Sequence, residues 1–174
     1  MPWLKLGLRD LILVVGTAAI WWRLHSDPTW DPAWWISIVA GVLLAASGFA
    51  LHEWGHWLGA VLSGGVVRPA KSIASVFLFA FDVERSTPRQ FLWMSYGGYA
   101  ASVAGLAAVL GIASWHALSG QVALVLTGLG LLVTAALEIP TTIRVHRGRD
   151  LPTGFAYVGT PARREAADAA GSHG

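Results

Sequence analysis

From Ala33 to Leu51 the chain runs nineteen residues without a charge. A helix needs about 20 mostly apolar residues to cross a bilayer, so this stretch by itself points to a membrane span. Apolar sequence then continues to Leu62, broken by His52, Glu53 and His56. Composition agrees with a lipid environment. Hydrophobic residues make up 55% of the 174 residues and charged residues 13%, where a soluble domain carries about a quarter. A disordered chain would be polar and poor in aromatics, whereas this one has 10 Trp. With no Cys, disulfide scaffolds, cysteine-ligated metals and Cys nucleophiles are excluded. A formal charge of +2 gives no strong field for nucleic acid.

Two further uncharged runs, Phe91 to Leu118 and Val122 to Leu137, read as spans. The N-terminal run, Leu11 to Trp22, is shorter and spans by recruiting Leu4 to Leu8 while Lys5 and Arg9 snorkel. A signal peptide is the rival reading, but Trp21 and Trp22 look like interface anchors rather than a cleavage site. Four crossings with a cytoplasmic N-terminus put 11 of the 12 Lys and Arg inside, Arg23 being the exception, as the positive-inside rule asks. Trp21, Trp22, Trp30, Trp34, Trp35 and Trp115 then form the outer aromatic belt, and both termini are cytoplasmic. Between the second and third spans, Val66, Val67 and Ile73 to Val83 are rich in β-branched and aromatic residues and bounded by Pro69 and Pro88. They read as one or two short strands, or a hairpin, at the cytoplasmic interface. The expected fold is thus an all-α membrane protein of four transmembrane helices with a short β element between helices 2 and 3. Residues 1–155 form one domain, and 156–174 a flexible cytoplasmic tail.

Charged and polar groups at membrane depth are costly and call for a function. His52, Glu53, Trp54, Gly55 and His56 spell HEWGH, an HExxH motif. Residues four apart share one helix face, so both imidazoles reach one ion. Glu53 lies about 100° around the helix, beside the ion, where it takes a proton from the attacking water. Zn²⁺ suits such a donor set. A solvated helix end explains the motif less well, because Trp57 and Leu58 continue the apolar helix. Haem ligation leaves Glu53 without a role. A catalytic zinc site wants a third protein ligand. Glu138, before Pro140 where the helix is expected to kink or end, and Asp150, in the turn-like DLPTG, are the main candidates. Asp82, Glu84 and His146 are lesser ones, and His25 and His116 fall at the outer face. Chemistry alone leaves Glu138 and Asp150 open.

Three stretches, FALHEWGHWLGAVLSGG (Phe49 to Gly65), RQFLWMSYGGYAASVAG (Arg89 to Gly105) and Pro140 to Gly154, resemble the site-2 protease family of intramembrane zinc metalloproteases. The likeness is to its small bacterial branch without accessory domains, and it covers a core of about residues 33 to 155. It implies zinc held by His52 and His56, Glu53 as catalytic base, and Asp150 as third ligand in place of Glu138. It also implies a membrane-anchored protein substrate cut near the cytoplasmic leaflet of a bacterial cytoplasmic membrane. The sequence departs from the family pattern around Asp150, which sits in GRDLPTG rather than before a glycine, and in having Glu138 near the place of an expected Asn. A proteolytically silent relative that binds a membrane partner, and a small proton-coupled carrier, are the alternatives. Gly97, Ala101 and Gly105, and Gly41 and Ala45, are spaced for close helix packing. The Ile73 to Val83 strand offers an edge to an extended substrate segment.

Overall fold

The computed structural model describes residues 2–27, 29, 31–154 and 156–159. Its helices are α1 (Pro2–Ser26), α2 (Trp34–Leu62), α3 (Pro88–Ile112) and α4 (Leu118–His146), and its short strands are β1 (Val67–Pro69), β2 (Phe79–Asp82) and β3 (Tyr157–Val158). α2, α3 and α4 are long and apolar enough to cross a membrane; α1 is not among them. The expectation of four apolar spans is therefore met by three. The reason lies in α1's first turns, where Lys5, Arg9 and Asp10 interrupt the apolar sequence.

Successive helices run antiparallel. Trp3 packs on Trp57 at one end of α1 (ring centroids 5.8 Å apart), and Trp21 Nε1 donates to the Ala40 carbonyl at the other (3.0 Å). Trp21 is thus a buried packing residue rather than a belt anchor. Trp22, Trp34, Trp35 and Trp115 are exposed as a belt requires, and Trp30 lies outside the described residues. Glycines bring α2 and α3 together. A Cβ on Gly55 would lie 2.5 Å from the Gly97 carbonyl oxygen and 2.4 Å from the Ala101 Cβ. Such backbone contact replaces the hydrophobic drive that lipid does not supply.

The turn from α2 to the sheet uses Gly64 at φ +76°, a left-handed conformation that glycine adopts without strain. α3 starts on a capping box with Pro88 in its first turn: Thr87 Oγ1 accepts from Gln90 N–H, and Gln90 Oε1 accepts from Thr87 N–H. Gln90 Nε2 also donates to the Ser63 and Gly64 carbonyls, tying the end of α2 to the start of α3. α4 does not stop at Pro140. It runs on to His146, so the missing proline N–H is tolerated inside the helix.

β2 pairs antiparallel with β1 and parallel with β3, in the order β1-β2-β3. The hairpin reading holds, but the strand is confined to Phe79–Asp82, because residues 71–78 run mostly through turns and bends. β2 is the central strand, with β1 on one edge and β3 on the other at Phe81 and Asp82. One expectation changes. Tyr157 and Val158 belong to the sheet, so the packed unit extends past residue 155; residues 160–174 lie outside the described residues.

Two apolar clusters bracket the bundle. One, around Leu78, Phe81, Phe91, Met94 and Val145, joins the sheet to the helices. Each of its buried large side chains contributes about 1.5–3 kcal/mol over an exposed one. The other, around Trp21, Leu44 and Val109, closes the far end. The polar site lies between them. Of the ten described Lys and Arg residues, nine lie toward the sheet end and Arg23 lies at the other.

Candidate metal centre

HEWGH lies within α2, with His56 six residues and His52 ten residues before the helix end at Leu62. At 1.5 Å per residue, the motif is roughly 9–15 Å inside. His52, Glu53 and His56 are all buried. The two Nε2 atoms are 3.0 Å apart, and the rings meet edge to face. Glu138, from α4, completes the group: its Oε1 is 3.2 Å from His52 Nε2 and 3.3 Å from His56 Nε2. Among the described residues these three form a cluster able to hold a metal ion.

Backbone acceptors settle which ring nitrogens carry hydrogen. His56 Nδ1 is 2.9 Å from the Met94 carbonyl. His52 Nδ1 is 3.2 Å from the Gly98 carbonyl and 2.7 Å from Ser102 Oγ. A carbonyl oxygen only accepts, so both Nδ1 atoms donate, and in neutral rings both Nε2 atoms present lone pairs. This assignment is inferred from partners, and it is the usual outer arrangement of metal-binding histidines. Met94, Gly98 and Ser102 follow at four-residue intervals on one face of α3.

With both rings neutral, two lone pairs and a carboxylate oxygen thus converge and repel one another; a metal cation at their centre relieves this, as does a proton on one Nε2 donated to Glu138. Glu138 Oε2 is buried without a hydrogen-bond partner. For Zn–N and Zn–O distances of about 2.0–2.1 Å, neighbouring ligands of a tetrahedron are about 3.3 Å apart. The observed 3.0–3.3 Å separations fit such an ion with little adjustment.

Asp150 stands apart from this group. It is exposed beyond the end of α4 and lines a separate cleft with Arg144, Arg147 and Arg149. Because the helix persists through Pro140, Glu138 stays on a helical face eight residues before its end, while Asp150 lies outside the helix. The structure therefore brings Glu138, and not Asp150, to the two histidines. Two of the other candidates are engaged elsewhere. Asp82 pairs with Arg68, and His25 bonds Trp21 and Ile112 carbonyls at the far end.

Glu53 turns to the adjacent cavity, where its Oε2 accepts from the Leu78 N–H at 2.9 Å. Glu53, His56, Glu138, Phe77, Phe79 and Tyr157 all line this cavity, which measures about 60 Å³. That admits a few waters, each needing about 10–15 Å³ of such space, and no peptide segment. Burial, with the Glu138 charge adding to it, pushes the Tyr157 phenol up to about 12, so its hydroxyl stays protonated and able to donate at neutral pH. Sequence reasoning missed Tyr157, Gly98, Ser102 and the Leu78 amide. The i, i+4 spacing of Gly98 and Ser102 was the available signal for two of them.

Comparison with protein-family models, curated protein sequences and solved structures returns no match, so the site's own geometry carries the functional reading.

Proposed function

We propose that this chain is an intramembrane zinc metalloendopeptidase that hydrolyses a peptide bond of a membrane-anchored protein near the cytoplasmic leaflet. One observation carries the reading: His52 Nε2, His56 Nε2 and Glu138 Oε1 converge at one point, and the Glu53 carboxylate opens on the cavity beside it. The resemblance to site-2 proteases supports it, with Glu138 replacing Asp150 as third ligand. A zinc ion held there supplies Lewis acidity to a carbonyl and brings the pKa of a coordinated water near 7.

The chain's own residues do the rest. Glu53, held by the Leu78 amide, accepts the proton of the attacking water and passes it to the leaving amine. Met94, Gly98 and Ser102 keep both imidazoles in the ligating tautomer. Phe77, Phe79 and Tyr157 wall the cavity, so a substrate segment enters only after this wall opens. α1, 25 residues long and about 37 Å at helical rise, packs along α2 and is read as a fourth crossing. By the positive-inside rule we read the sheet end, where the basic residues gather, as cytoplasmic, and with it both chain termini.

The test is cleavage of single-span substrates by protein purified in detergent. Glu53→Gln is expected to keep its zinc and lose cleavage by at least about 10²-fold, the lower range for a general base. Cleavage at the wild-type rate would remove Glu53 from the mechanism. Zinc binding without any cleavage by the wild type would favour the silent, partner-binding alternative.

A further inference from the structure

α1 carries two adjacent charges, Arg9 and Asp10, and the metal site uses neither. Asp10 is buried. Its Oδ2 accepts from Trp54 Nε1 at 2.9 Å, and Trp54 follows Glu53 in the chain. Its Oδ1 accepts from Arg9 Nε at 2.7 Å. Arg9 Nη1 reaches across to the loop before β2, donating to the Ile73 carbonyl at 2.9 Å and the Ser75 carbonyl at 2.8 Å. Three residues past Ser75, the Leu78 N–H holds Glu53 Oε2. Arg9 is therefore more than a snorkelling cation, since three of its contacts are directional.

From this chain of contacts we infer that Arg9 is a positioning residue for Glu53, with Asp10 orienting its guanidinium. The inference rests on Glu53 acting as the base. The Leu78 carbonyl accepts from the Ala70 N–H beside β2, but residues 71–77, which lead to the Leu78 amide, run mostly through turns and bends with no strand or helix to fix them. The guanidinium supplies that fixation by clamping two carbonyls of the same loop with one planar group. Asp10 satisfies the Arg9 charge and ties the clamp to α2 through Trp54, one residue from the group being placed. α1 thus completes the site without touching the ion. A catalytic carboxylate needs this support because a displacement of about 1 Å can cost roughly 10²-fold in rate.

The experiment compares full-length wild type, Arg9→Gln, Asp10→Asn and Lys5→Gln in nanodiscs. Three quantities are read: zinc content, hydrogen exchange across residues 72–80, and kcat and KM separately. In Arg9→Gln and Asp10→Asn, exchange across 72–80 is expected to rise roughly ten- to a hundredfold, the range for losing hydrogen bonds to a charged group. Zinc content should stay at the wild-type level. kcat should fall about tenfold or more with KM little changed, and added guanidinium should restore part of the activity of Arg9→Gly. Lys5→Gln, at an exposed position of the same helix, should match wild type throughout. Unchanged exchange, loss of zinc in both variants, or an effect on KM alone would overturn the assignment. Exchange and zinc content require no turnover, so the positioning role and the protease reading can fail independently.

Discussion

Gly98 has no side chain, and the His56 imidazole occupies the space. A Cβ built there would lie 2.2 Å from His56 Cε1 and 2.3 Å from Nε2, so even alanine forces the ring out of place. Gly98→Ala is expected to weaken zinc binding by roughly 10–100-fold, the usual cost of disturbing a ligand's support, with the bundle still folded. Competition against a graded chelator measures it, and wild-type affinity in this variant would refute the placement of His56. At this scale legibility was uneven, for a physical reason. His52, Glu53 and His56 were readable because their relation is set by one turn of one helix. Glu138 was not separable from Asp150, because only tertiary packing puts a carboxylate 86 residues from His52 in contact with it. Asp10 was passed over because its partners, Arg9 aside, come from α2 and its effect runs through the loop before β2.

Among the elements, the small sheet walls the site, and its charged anchor is the pair Arg68–Asp82. Arg68 Nε and Nη2 both donate to Asp82 Oδ2, at 3.1 and 2.6 Å, and the Arg85 N–H donates to Oδ1. The Arg68 guanidinium holds the Asp82 carboxyl below its ordinary value, against the opposing effect of burial. A depressed carboxylate stabilises the fold above its unfolded pKa of about 3.9, and the contribution is lost as pH falls through the lower folded value. Asp82→Asn should therefore melt earlier than wild type at neutral pH, with the gap closing below about pH 4. Thermal melts across pH test this, and parallel curves at every pH would contradict it. The strands' existence was legible from β-branched and aromatic residues. Their order was not, since β3 joins from 76 residues beyond its β2 partners. The run through Pro140 was also unreadable, because tertiary packing decides whether a proline ends a helix or only removes one hydrogen bond.

For the molecule as a whole, the membrane reading followed from composition and charge asymmetry, properties that need no tertiary information. Because the natural sequence has no Cys, single cysteines report topology cleanly. Ser72→Cys and Arg147→Cys are expected to react with an impermeant maleimide only from the cytoplasmic side, and Thr29→Cys and His116→Cys only from the other. The reverse pattern would invert the orientation, and mixed labelling of Thr29→Cys would remove α1 as a crossing. The central claim is that His52, His56 and Glu138 hold one zinc ion in a lipid-embedded bundle. Elemental analysis of detergent-purified protein tests it most directly. The account predicts one zinc per chain in wild type and Asp150→Ala, and none in His56→Ala or Glu138→Ala. Wild-type protein without stoichiometric metal, or metal lost from Asp150→Ala and kept in Glu138→Ala, would contradict it.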